Sequence, residues 1–199
     1  LSRGYKVLWL AHTHHLLEQA FFSFVPENKD KGGFEVGWIT EPKEDIKIRV
    51  VSGAPNNFKV NQIKKTDDIV IATLQSITNA YKNKHPQLED FLKSADGKLF
   101  VVFDEAHHAP APTYRKLLIG DDYPEIRESL RERFPEMYLL GLTATPTYNN
   151  EEKRGWLKEI FPQEIVYQAE IKNLIFEKIL ANPNAIESKT HIEQELEEK

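Results

Sequence analysis

The sequence contains no cysteine. Disulfide cross-links and thiolate chemistry are therefore excluded. It has no apolar run near the roughly 20 residues a membrane-crossing helix needs. Residues 1–10 lack the charged start and long apolar stretch of a secretory leader. There is no surplus of positive charge: the formal net charge is −5, so no global basic footprint for nucleic acid exists. Any such contact has to be local, through backbone amides, hydroxyls and a few Lys or Arg side chains. Internal repeats and low-complexity runs are absent as well. What remains is an ordinary globular composition, 40% hydrophobic and 29% charged. Its 199 residues suffice for one domain with a sizeable core. The expectation is a cytoplasmic protein that makes no membrane contact.

The stretch that organises the chain is Leu99 to Pro112, LFVVFDEAHHAPAP. Its five leading apolar residues are too few for a helix and suit a buried parallel strand. Asp104, Glu105 and His107 follow at the strand's carboxyl end, the edge where open α/β sheets bind ligands. Two adjacent acids after a buried strand need a reason, because an unpaired buried charge is costly. Strand alternation sends the two carboxylates to different sides, so one can hold a metal ion while the other orients a water. A second apolar run, Met137 to Leu142, ends in GLTATP, Gly141 to Pro146.

Two hydrophobic strands, each ending in a polar signature, are more specific than either alone. FDEAHH followed by LTATP resembles motifs II and III of superfamily 2 helicases and translocases. The double-His form is similar to the branch containing the motor subunits of restriction enzymes. The resemblance implies a RecA-like α/β fold, a mostly parallel sheet with flanking helices. It implies ATP and Mg²⁺ as cofactors, with Asp104 holding the metal and Glu105 positioning or deprotonating the attacking water. His107 would link the phosphate site to Thr143 and Thr145.

The chain in order adds to this. Tyr5 to Ala11 reads as a buried strand, followed by His12-Thr13-His14-His15 and an apolar-faced helix with Thr13 as its N-cap. The segment resembles motif Ia, with Leu17 and Gln19 at matching places and His12 where many relatives carry Pro. Residues 34–40 and 46–51 read as short strands, and 57–65 as a short helix. Asp68 to Thr73 is a further strand. Its following helix resembles motif Ib, with Thr73, Gln75 and Ser76 at the junction. Thr13, Gln19, Thr73, Gln75 and Ser76 are thus the candidate nucleic-acid contacts. Helices are expected near 86–94, 113–119, 123–134, 151–160 and 171–180, with Pro110 and Pro112 barring an immediate helix after the acids. Glu164 to Ala169 reads as a last strand.

No G-x-x-x-x-G-K-[ST] occurs in the sequence. By the resemblance, this chain is then part of a first RecA-like domain whose first strand and phosphate loop are missing. Residues 1–181 form that partial domain, and 182–199 form a tail or linker toward a second RecA-like domain. The implied partners are nucleic acid, DNA ahead of RNA, that second domain, and a restriction or nuclease subunit. The absent strand would lie between the strands ending in Asp104 and Leu142. Those two are therefore expected either to pair directly or to have the slot filled from elsewhere. Two other readings stay open. One is a metal-dependent hydrolase using His12, His14, His15, Asp104, Glu105, His107 and His108. The other is a catalytically dead interaction module of the same fold.

Overall fold

The structure is a computed structural model that describes residues 3–24, 46–95, 97–120, 128–145, 151–163 and 165–178. The strand expected at 34–40, the start of the helix expected at 123–134 and the tail at 182–199 lie outside these residues. The chain divides into two compact units, Leu1–Pro162 and Gln163–Lys199.

Among the described residues, the first unit is built on five strands: β1 Lys6–Ala11, β2 Ile48–Val51, β3 Ile69–Thr73, β4 Leu99–Asp104 and β5 Tyr138–Leu142. All pair in parallel, in the order β2-β3-β1-β4-β5. Parallel neighbours require crossover connections. Helices α1 His14–Phe24, α2 Leu74–Lys82, α3 Pro86–Lys93, α4 Pro112–Ile119 and the single turn α5 Leu130–Arg133 lie on connections between strands, and α6 Glu151–Ile160 follows β5.

Alternation along the strands divides the core in two. Odd positions of β1 and β3, including Ala11, Ile69 and Ile71, meet Leu17 and Ala20 of α1. Even positions, including Leu8, Leu10, Val70 and Ala72, face the opposite layer, where Ile77, Leu88, Phe91 and Leu117 close the larger core. β3 is buried along its whole length, as a central strand between two helical layers should be. Each fully buried aliphatic or aromatic side chain contributes about 1.5–3 kcal/mol.

β4 and β5 pair directly, from Phe100 opposite Tyr138 to Asp104 opposite Leu142. Of the two expected arrangements, this is the one found. β5 differs from its expected burial. It is a sheet edge, half-buried, with Tyr138 56% exposed. Gly141 permits its approach: a Cβ there would lie 2.8 Å from the Cβ of Ala106 and 2.9 Å from the Phe161 ring.

Three local expectations are corrected. Residues 57–65 form only a 3-10 turn, Val60–Gln62, because Lys59 Nζ donates to the carbonyls of Ser52, Gly53 and Ala54 and holds the segment as a loop. Pro112 does not delay the next helix. It opens α4 as the first helical residue, where its missing N–H costs nothing. Of the strand expected at 164–169, the described residues 165–169 form none, and in the second unit Ile165, Val166 and Tyr167 are 63%, 82% and 84% exposed. That unit's helix, α7 Ile171–Phe176, is shorter than the expected 171–180.

Candidate functional site

Because all five strands run the same way, their carboxyl ends share one edge of the sheet. The register aligns them closely: Ala11 pairs with Thr73, Leu10 with Phe103, and Asp104 with Leu142. Thr13, Thr73, Asp104 and Thr143 therefore stand on one edge, two residues or fewer past their strands.

The exit of β4 is sharper than alternation predicts. Glu105 has φ 53° and ψ 54°, the left-handed region that non-glycine residues rarely adopt. The strand alternation expected to separate the two carboxylates thus ends at Asp104. A 3-10 turn, Ala106–His108, follows at once. The Glu105 N–H donates to Asp104 Oδ1 at 3.0 Å, and the His108 N–H donates to the Glu105 carbonyl at 2.9 Å. Burial pushes the Asp104 carboxyl above the usual carboxylate range, and the Glu105 charge adds to this. The Glu105 N–H and the Trp9 indole act in the opposite direction. The indole contact is loose, since Trp9 Nε1 is buried without a hydrogen bond of normal geometry.

His107 joins the two signatures. Its Nδ1 lies 3.1 Å from Glu105 Oε2 and 3.2 Å from Thr143 Oγ1. A carboxylate accepts only, so this geometry selects the tautomer with the proton on Nδ1. Thr143 Oγ1 also accepts from the Thr145 N–H at 3.0 Å. Thr145 was expected to partner His107 directly. It meets the network only through its backbone, and its side chain is exposed.

At the ends of β1 and β3 the expected residues are present, with different free groups. Thr13 is exposed and its Oγ1 accepts from the Leu16 N–H, a long N-cap at 3.4 Å. Gln19 Nε2 is 3.1 Å from the His15 ring one turn earlier. Thr73 is only 8% exposed. Its hydroxyl donates to Ser76 Oγ at 2.7 Å and accepts from the Ser76 N–H. The groups α2 presents outward are thus the first N–H groups of the helix and the exposed Gln75 side chain, rather than the Thr73 hydroxyl.

The sequence reading missed two features. His12 stacks on His108, rings 4.5 Å apart and 22° from parallel, and His108 lies 4.1 Å from His107. Tyr114 of α4 abuts His12 edge-on, its hydroxyl 3.5 Å from Nδ1. Only the run of histidines hinted at this. The second feature is a shallow groove of about 350 Å³ beside Ser76, lined by Ser52, Gly53, Lys59, Asn79 and His85 among others. Its walls come from distant segments, and nothing in the sequence signalled it.

Among the described residues, no three His, Asp or Glu side chains converge as a metal cage. His12 and His108 stack face to face instead, and His107 lies tilted 43° against His108. The ligand cluster of a metal-dependent hydrolase is therefore not assembled. Asp104 does suit Mg²⁺: it is a half-buried carboxylate, and burial disfavours its charged form, which a bound cation would favour. Mg²⁺ binds through one or two carboxylates while keeping waters and phosphate oxygens.

Residues 1–148 match the protein family described as "Type III restriction enzyme, res subunit". A relative named "Putative helicase 22", from the Sulfolobus islandicus filamentous virus (isolate Iceland/Hveragerdi), is 31% identical over 104 residues. That match covers 52% of this chain and 15% of the relative. Among solved structures, the Pyrococcus furiosus Hef helicase domain is 22% identical with a TM-score of 0.46. It covers 81% of this chain and 28% of that one. The chain thus spans a minor part of either protein.

Proposed function

This chain belongs to the type III restriction enzyme res-subunit family, and from that premise we propose that it is part of an ATP-driven motor acting on DNA. The observation that carries the reading is the continuous contact Glu105–His107–Thr143, at 3.1 and 3.2 Å, across the ends of two adjacent strands. Phosphoryl transfer needs little covalent chemistry from a protein. It needs positioning and stabilisation of charge.

In this reading Asp104 holds Mg²⁺, and the ion when bound neutralises charge on the phosphate oxygens. Glu105 orients the attacking water and accepts its proton. His107, donating from Nδ1, fixes the carboxylate's direction and ties it to Thr143. Thr143 in turn anchors the TATP segment, so a change at the phosphate is felt along that loop. At the other half of the edge, the N-terminal amides of α1 and α2, with Thr13, Gln19, Gln75 and Ser76, contact the nucleic-acid backbone. A helix start offers free N–H groups and a positive dipole end to a phosphate. Such contacts suit a chain of net charge −5, because they use helix amides rather than a surplus of basic side chains.

These 199 residues contain no G-x-x-x-x-G-K-[ST]. ATP turnover by this chain alone is therefore expected at background. A longer polypeptide carrying that loop is expected to hydrolyse ATP, stimulated by DNA. In it, Glu105→Gln should lower kcat by at least about 100-fold while leaving nucleotide affinity within a few-fold, as removal of a general base does. Undiminished kcat in that variant would remove Glu105 from this role.

A further inference from the structure

We propose that His12 is a positioning residue for Glu105, acting through the ring stack His12–His108–His107. The inference rests on the reading above for what Glu105 and Thr13 do, but the stack itself can be tested apart from that reading.

Three geometric facts support it. First, the chain of ring contacts is continuous. His12 stacks on His108 at 4.5 Å, His107 meets His108 at 4.1 Å with its ring tilted 43°, and His107 Nδ1 to Glu105 Oε2 is 3.1 Å. Second, it starts and finishes at the two halves of the edge. His12 immediately precedes Thr13, the N-cap of the eleven-residue α1, while Glu105 opens the turn after β4. Third, the stack is held from the side. Tyr114 sets its ring edge against His12 and its hydroxyl near Nδ1.

The physical consequence follows from charge. Two imidazolium rings at this separation repel, so protonation of one disfavours protonation of the other. Among the described residues, the titratable groups facing His108 and His12 are each other, Tyr114 from α4, and His107 and Glu105 from the turn after β4. Burial lowers the His108 pKa, and its two histidine neighbours push it the same way, against Glu105. His12 is exposed. Because His12 directly precedes Thr13, a backbone phosphate arriving at the α1 amides meets its ring. A shift of that ring is passed by contact to His108 and His107, and His107 carries it to the Glu105 carboxylate. Strand occupancy is thereby conveyed to the group that handles the water. A small residue at position 12 would break this chain of contacts.

The test uses histidine ring ¹⁵N resonances of the chain. In the absence of any ligand, His12→Gln should raise the His108 titration midpoint, because the neighbouring His12 charge disfavours protonation of His108. An unchanged His108 midpoint would overturn the ring contact. Next, oligo(dT) of fifteen nucleotides is titrated into the wild type. The His12, His108 and His107 rings should then shift along one binding curve. In His12→Gln, compared at equal saturation, His107 should stay at its free position. A His107 shift of undiminished size in that variant would overturn the transmission. Failure of oligo(dT) to bind either protein would overturn transmission from DNA and count against the nucleic-acid reading, while the His108 midpoint would still decide the ring contact.

Discussion

Replacing Gly141 with alanine tests the packing beneath the site. Gly141 lies in β5 opposite Phe103, one residue before Leu142 pairs with Asp104. An added Cβ would sit 2.8 Å from Ala106 Cβ and 2.9 Å from Phe161 Cε1 and Cζ. Reaching ordinary contact, which begins at 3.4 Å, means opening the Ala106 side by roughly 0.6 Å. Phe161 is half-buried and its ring can swing. Ala106 cannot yield without its backbone, because it is 2% exposed and lies in the 3-10 turn that carries His107. Overpacking costs about 1–3 kcal/mol, and rigid backbone on one side puts this site in the upper half, about 2–3 kcal/mol. For a domain of this size that lowers Tm by about 4–12 °C. Urea unfolding followed by circular dichroism should show a lower midpoint with an unchanged slope. The matched control is Gly155→Ala within α6, where an added Cβ meets nothing within 4 Å. It should stabilise by about 0.4–1 kcal/mol. A Gly141→Ala midpoint equal to wild type, or both variants moving the same way, would refute the close approach of β5 to the turn.

Arg133 donates to both carboxylate oxygens of Glu89, at 2.9 and 2.6 Å, and holds the Glu89 carboxyl below its ordinary value of 4.5. The folded pKa is depressed, so this contribution is present above pH 4.5 and is lost as pH falls through the lower folded value. Arg133→Ala should cost about 1.5–3 kcal/mol at pH 7 and flatten the acid side of the stability profile; a profile as steep as wild type would contradict the pairing. Asp67 is 1% exposed and accepts from Arg49 and from the Lys64 N–H. Asp67→Asn leaves Arg49 without its counter-charge, so chemical denaturation should report a loss of about 3–5 kcal/mol. A loss under about 1 kcal/mol would show that solvent already screens the pair.

The sheet was legible because its strands are short apolar runs closed by polar signatures. IVIAT and LFVVF are fully or nearly buried, as such runs demand. The same logic failed at residues 165–169: Ile165, Val166 and Tyr167 have the pattern of a strand, yet they are exposed and form none. A hydrophobic run specifies a strand only where another edge receives it. At the site, the residue types were legible and their conformations were not. Sequence places Asp104 and Glu105 side by side, but the left-handed backbone of Glu105 depends on hydrogen bonds formed after the turn closes. Thr73 was legible as a cap, yet its burial shifts the outward-facing role to its helical neighbours. His12 against His108 joins residues 96 positions apart (108 minus 12), and no local period reports that.

The strain at Glu105 explains why the two signatures form one mechanical unit. A non-glycine residue in the left-handed region costs about 1–3 kcal/mol and persists only where its surroundings over-determine it. Here the N–H is taken by Asp104, the carbonyl by His108 and the carboxylate by His107. His107 is itself held by Thr143, which leaves β5 directly after Leu142, the partner of Asp104. The strained acid is therefore clamped by the end of the neighbouring strand, and Gly141 lets that strand come close enough to do so. Any motion of the Thr143 loop changes how firmly His107 is held, and hence how firmly the carboxylate points. A relaxed, right-handed Glu105 would lack the return bond from His108 and swing with solvent. On this geometry the DEAH turn cannot change conformation without β5 and the TATP loop registering it.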